Sequence, residues 1–341
     1  SFRAIYDRLN VLLTPEDSVG ESFYNPMLAD TVDELVDAGM AVESDGALVF
    51  YSREVTGPDD KPVTLMIRKR DGGYGYDTTD LATIRYRIRD LKADRLVYVT
   101  DSRQALHFQL VFEAARLTGW LTDGITAEHA AYGTILGPDG TPFKTRAGGT
   151  VRLMDLLDDA VSRARAVVTE KNAERNIDLD AAELDRIAEM AGIAAVKYAD
   201  LSTSRVKDYS FNVERMVSFT GNTGVYLQYA HARISSILRN AGDRPDVVDP
   251  SIPLQPAERA LALELDAYGA VLTEVAAGLE PHRLCGYLYE LARAFTTFYE
   301  ACPVLKADEP VRGNRLALCR LTARTLGHGL DLLGITAPER M

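Results

Sequence analysis

The spacing of apolar residues divides the chain into a first part that mixes strands with helices and a second part that is helical. In the first part Leu81, Ile84, Ile88 and Leu91 recur at helical intervals, behind Thr78, Thr79 and Asp80, whose side chains suit an N-cap. Residues 95–100 (RLVYVT) are a short β-branched run of the kind that forms a buried strand. Helical spacing returns over 102–119 through Leu106, Leu110, Ala114 and Leu117, and Gly119 closes that helix. Together with the extended Gly- and Tyr-rich stretch ahead of it, this reads as a βαβα unit. Ligands in such sheets sit beyond the carboxyl ends of the strands, where Tyr76, Asp80 and Gln104 fall. One acid, one phenol and one amide there suit a small cationic substrate.

Around that unit, Phe2, Ile5, Tyr6 and Leu9 repeat as a helix face, and residues 20–25 (GESFYN) form a turn carrying Glu21. A helix follows over 27–38, with Gly39 as its C-cap. Alternation over 41–69 around Gly57-Pro58-Asp59-Asp60 predicts a hairpin with strands at 47–51 and 63–68. Residues 128–136 read as a further strand, followed by a Gly-Pro-Asp-Gly turn at 137–140 and a loop holding Lys144. From Leu153 onward strands vanish, and helices are predicted at 153–171, 181–201, 225–240, 256–278, 282–301 and 311–333. Leu316, Leu330, Leu332 and Leu333 of the last helix are expected to close the core of a bundle. The fold class is α/β followed by all-α.

Composition narrows the classes further. A chain of 341 residues, 46% hydrophobic and 26% charged, is an ordinary globular protein of two or three domains. No apolar run approaches a membrane span and the N-terminus does not read as a signal peptide, so a cytoplasmic location is expected. The three cysteines, Cys285, Cys302 and Cys319, are odd in number and lack CxxC spacing, which favours buried small apolar residues over a metal site or disulfides. A net charge of −12 argues against a surface coated with phosphate-binding groups, yet a local basic patch within an acidic whole remains compatible with nucleic acid. Composition alone does not suggest RNA.

Several separated blocks carry a resemblance. Tyr76 with Asp80 four residues on, the run TDSRQALHF after a strand, FKTRAGGTVRL at 143–153, GNTGVYLQYAHARI at 221–234 and the terminal LDLLGITAPERM resemble arginyl-tRNA synthetase, a class I aminoacyl-tRNA synthetase, in the family's order. The resemblance implies the second half of a Rossmann-like class I catalytic fold at 1–152, a helical connecting region that meets the tRNA stem at 153–218, and a helical anticodon-binding domain at 219–341. It implies L-arginine, ATP with Mg2+ as substrate, and arginine tRNA as partners. The positions matching Glu21, Tyr76 and Asp80 contact the guanidinium in that family, and the one matching Gln104 holds the α-amino end. Lys144, in a loop similar to the KMSKS signature, would act with Arg146 on the triphosphate as charge develops there. Paired carboxylates match the planar donor fork of a guanidinium better than a lysine ammonium.

Other residues stay open at this level. His107 and His129 either line an ATP site or are hydrogen-bonded structural histidines, whereas His231, His282 and His328 lie on helices and read as structural. Asn222, Tyr226, Gln228 and Arg233 combine with Phe219 and Tyr229 either as a base-stacking surface or as a helix face packed on its neighbour; the resemblance implies a tRNA-binding role. No HxGH-type helix start occurs in the sequence. Three readings therefore follow: a portion of an arginyl-tRNA synthetase or one chain of a divided enzyme, whose partner would carry the HIGH half; a free-standing paralogue that binds arginine or tRNA without aminoacylation; or a module that only binds tRNA.

Overall fold

The computed structural model describes residues 2–137, 140–141, 152–174, 179–242 and 248–341. By contacts the chain groups into two units, Leu13–Gly133, and Ser1–Leu12 with Thr134–Met341.

The chain begins with α1 (Phe2–Arg8), which belongs to the second grouping. In the unit Leu13–Gly133 a 3-10 turn at Glu21–Met27 leads into α2 (Leu28–Asp37), which buries Val32 and Leu35 and ends at Gly39 in the left-handed region (φ +70). An antiparallel sheet follows in the order β1 (Val42–Ser44), β2 (Ala47–Thr56), β3 (Pro62–Arg68). The predicted hairpin is present, with a longer first strand and an added β1. Its register shifts between Tyr51 and Thr56. There the buried Glu113 accepts hydrogen bonds from Ser52 Oγ (2.5 Å) and from the amides of Arg53 (2.6 Å) and Glu54 (3.2 Å), so a carboxylate satisfies donors at the irregularity.

Next come α3 (Tyr76–Arg89), β4 (Arg95–Tyr98), a 3-10 turn at Ser102–Gln104, α4 (Ala105–Leu117) and β5 (Thr126–His129). The expected N-cap for α3 is corrected: the helix starts after Gly75, and Thr78 is buried with its hydroxyl on the Ile67 carbonyl (2.5 Å). Asp77 Oδ2 accepts from the Met66 amide (3.0 Å), so two side chains of the first turn rivet α3 to β3. The βαβα expectation is also corrected. β3 takes its partner from the hairpin, and the parallel pair is β4–β5, with α4 as the crossover. Phe50, Leu65, Ile67, Leu81, Ile84, Leu96, Phe108 and Val111 fill this unit's core.

The expected single strand over 128–136 breaks after His129, and in the other unit β6 (Ile135–Leu136) pairs in parallel with β7 (Tyr209–Ser210). Strands therefore do not end at residue 153. The helices are α5 (Leu153–Glu174), α6 (Ala181–Leu201), α7 (Val213–Met216), α8 (Gly224–Ala241), α9 (Pro256–Asp266), α10 (Tyr268–Gly278), α11 (Pro281–Ala301) and α12 (Val311–Leu332). The helix predicted at 256–278 is two, divided at Ala267, beside Tyr268, which stacks on Tyr287 and hydrogen-bonds His328 (2.7 Å).

Alanines at the α5–α6 contact (Ala160, Ala164, Ala191, Ala195) let the two backbones approach closely. A Cβ on Gly192 would lie 2.6 Å from Val161 Cα, and one on Gly224 would lie 2.6 Å from the Ala194 carbonyl, so both glycines mark helix crossings. The largest core gathers Leu284, Leu288, Leu291, Phe295, Phe298, Leu326 and Leu330 with all three cysteines, which are buried as thiols. Leu316, Leu330 and Leu333 join it as expected; Leu332 does not, being 53% exposed.

Candidate functional site

The first turn of α3 and the start of α4 line a cleft of about 1090 Å³ within the unit Leu13–Gly133. Glu21, Tyr76, Asp80 and Gln104 all line it, and so does His107. Local folding explains the convergence. Tyr76 and Asp80 are one turn apart on α3, and Gln104 precedes the first residue of α4 by way of the 3-10 turn that Asp101 caps through the Arg103 amide (2.8 Å). Glu21 is exposed at the start of its own 3-10 turn, as is the Tyr76 ring.

Charge in the cleft is organised by His107. Its Nε2 lies 2.6 Å from Asp80 Oδ2, and its Nδ1 lies 3.3 Å from Asp77 Oδ1, a charge contact without hydrogen-bond alignment. The ring sits 5.0 Å from that of Tyr76 and 5.1 Å from that of Phe108. Burial disfavours the imidazolium, but the contacts with Asp77 and Asp80 and their charges outweigh it and raise the group to about 9. At neutral pH the cluster Asp77, His107, Asp80 therefore carries one net negative charge, which suits a monocation.

A pH dependence follows with a definite sign. The folded value lies above the ordinary 6.5, so the stabilisation is complete below about pH 6.5 and is lost as pH rises through about 9. At pH 7 it amounts to on the order of 2–3 kcal/mol. Urea unfolding followed by the chain's single tryptophan, Trp120, buried in this unit, is expected to separate the native chain from His107→Gln at pH 7. The gap should narrow by pH 9.5; a gap that does not change with pH would rule out the linkage.

Two features escaped the sequence reading. Tyr98 lines the cleft with a buried hydroxyl that has no hydrogen-bond partner among the described residues, and burial pushes the phenol up to about 12. The Arg87 guanidinium lies over its ring, 4.9 Å from the centroid. The Asp77–Asp80 pair, three residues apart on one helix, was the available signal for the His107 cluster.

The other candidates separate. His129 pairs with Thr100 Oγ1 (2.8 Å) and lines a different, shallower depression with Gln109 and Arg116. Lys144 and Arg146 lie outside the described residues. Among the helical candidates, Gln228 is fully buried, its amide donating to the Met190 (3.2 Å) and Thr336 (2.8 Å) carbonyls. It packs the interior and does not face RNA in this conformation. With His231 on the Pro338 carbonyl (2.9 Å) and Arg239 on the Glu339 carbonyl (2.9 Å), it straps the C-terminal segment to α8. Asn222 Oδ1 accepts from Tyr198 (2.5 Å), Tyr226 packs edge-on against Tyr289, and Arg233 lies over Tyr299 at 4.6 Å. These three side chains are exposed or half-buried.

Comparison with known proteins gives two family matches. Residues 1–213 match the model described as tRNA synthetases class I (R), catalytic domain, and residues 227–341 match the DALR anticodon binding domain. The arginine–tRNA ligase of Frankia casuarinae is 72% identical across the whole chain, which covers 57% of that relative. Among solved structures, the arginyl-tRNA synthetase of Plasmodium falciparum superposes with a TM-score of 0.86 at 30% identity, over 100% of this chain and 56% of that one. The arginyl-tRNA synthetase of Thermus thermophilus gives 0.80 at 31% identity, over 93% of this chain and 58% of that one. The chain thus spans just over half the length of the relatives it matches.

Proposed function

The chain belongs to the class I arginyl-tRNA synthetases, and from that premise we propose that it carries the arginine-recognising side and the tRNA-binding bundle of an arginine–tRNA ligase. The reaction is ATP-dependent activation of L-arginine and its transfer to arginine tRNA, with ATP entering as its Mg2+ complex and the protein working in the cytoplasm. The observation that carries this reading is the cleft, in which Glu21, Tyr76, Asp80 and Gln104 stand around a cluster of one net negative charge.

In this reading Asp80 with Glu21 and Tyr76 takes the guanidinium, and Gln104 takes the α-amino end. Lys144 and Arg146 supply positive charge to the phosphates. Lysine is rejected by geometry: an ammonium cannot meet acceptors arranged for a planar fork, and each buried acceptor left unmet costs about 1–3 kcal/mol. The regions 153–218 and 219–341 meet the stem and the anticodon side of tRNA, the latter through Asn222, Tyr226 and Arg233. Because the sequence contains no HIGH-type segment, arginine-dependent pyrophosphate exchange by these residues alone is expected at background even with tRNA present.

Calorimetry with L-arginine, L-lysine and L-citrulline tests the pocket. Binding of L-arginine alone is the expected result; equal binding of all three, or of none, overturns the reading. For the bundle, filter binding across a salt series is expected to show affinity that falls steeply with salt and favours arginine tRNA over another tRNA at fixed salt. Equal affinity for both would remove the anticodon role.

A further inference from the structure

A single aspartate on a helix surface must hold its orientation while a second acid stands one turn away. Asp77 and Asp80 are three residues apart on α3, and two carboxylates at that spacing repel each other. The ring of His107 lies between them, although it belongs to a different helix.

We propose that His107 is the positioning residue of the guanidinium pocket: its imidazolium fixes Asp80 by one carboxylate oxygen and neutralises Asp77, so that the cleft meets its ligand with one oriented carboxylate. This rests on the reading that the cleft takes L-arginine.

The placement of an acid at each ring nitrogen supports the charged form. A neutral imidazole has one donor, and here both ring nitrogens face carboxylate oxygens, at 2.6 Å and 3.3 Å. Asp77 Oδ1 is buried with no hydrogen-bond partner among the described residues, so a nearby cation is what keeps its charge tolerable. Asp77 is itself held from the other side, because its Oδ2 accepts from the Met66 amide of β3. Orientation thus passes from a sheet amide to Asp77, to His107, to Asp80.

The ring has little freedom to leave this arrangement. Tyr76 and Phe108 flank it at centroid distances of 5.0 Å and 5.1 Å, and its side chain is only 14% exposed. Among the described residues Asp80 is engaged by His107 through Oδ2, which leaves Oδ1 for an incoming donor. A guanidinium that needs a fixed acceptor gains from that immobilisation, because the acceptor is already ordered before binding. His107 acts through Asp80 and has no contact of its own with the ligand in this scheme.

Three measurements on the full chain test the proposal. Ring nitrogen NMR at pH 7.5, with the His107 signal identified by its loss in His107→Gln, is expected to show both nitrogens protonated without ligand. In calorimetry, His107→Leu should weaken L-arginine at least tenfold, while His107→Gln, which retains one donor for Asp80, should lose less than threefold. Trp120 fluorescence checks that both variants remain folded, and His107→Gln carries the test if His107→Leu does not fold, since it should then still fall short of the native affinity. A neutral ring, or native affinity in both variants while the native chain binds arginine, overturns the positioning role and leaves the cleft reading standing. Failure of the native chain to bind arginine overturns both.

Discussion

Asp80→Ala is expected to weaken L-arginine binding by roughly 2–5 kcal/mol, about thirty- to several-thousand-fold. The substitution removes the acceptor that the cleft orients, and it leaves the imidazolium of His107 facing an incoming guanidinium with its Asp80 partner gone. Like charges then meet where opposite charges met before. Asp80→Asn keeps the shape and one acceptor oxygen, so its loss should be smaller, roughly 1.5–3 kcal/mol for one charge-assisted contact. Calorimetry across the native chain, Asp80→Asn and Asp80→Ala gives the series. An Asp80→Ala affinity within threefold of the native value would remove Asp80 from the pocket.

In the helical unit the largest single effect on stability is expected at Glu258. Its Oε1 pairs with Arg315 Nε at 2.6 Å, and the two side chains are only 6% and 11% exposed. Glu258 Oε2 also accepts from the Gln255 amide (2.7 Å) at the start of α9, and Arg315 donates to the Pro303 carbonyl (2.7 Å). One carboxylate therefore caps a helix and neutralises a buried guanidinium from α12. Glu258→Ala should cost about 3–5 kcal/mol, because the arginine stays buried without its counter-ion. The double substitution Glu258→Gln with Arg315→Met should recover much of that loss, since removing both charges also removes their desolvation penalty. Urea unfolding followed by helical circular dichroism compares the three proteins; a single variant no worse than the double would show that the pair contributes little.

The parts of the fold that came through in the sequence are those decided within a few turns of chain. The helices α6, α8, α11 and α12 lie within two residues of their predicted bounds, because an amphipathic face and its end signals are local properties. The β2–β3 hairpin came through for the same reason, alternation on both sides of a polar turn. Tyr76, Asp80 and Gln104 were placed at one end of an α/β unit from strand–helix order alone, and they do line one cleft. The resemblance added the family. Neither required knowledge of what lies across the molecule.

Pairing and burial across long sequence separations were decided only in three dimensions. Nothing local says that β3 turns to the hairpin while β4 pairs with β5, or that Ile135 meets Tyr209, because a short apolar strand offers the same donors and acceptors to any neighbour. His107 and Asp80 are twenty-seven residues apart, and their spacing along the chain does not reveal that an imidazolium sits between two acids. Gln228 reads in the sequence as a polar helix residue with a tRNA-binding role, yet the C-terminal strap and α6 enclose it and take both of its amide donors. Local periodicity sets which elements form. Which polar groups become buried, and therefore which must find a partner, depends on the packing of distant segments, and the charge of the cleft follows from that packing.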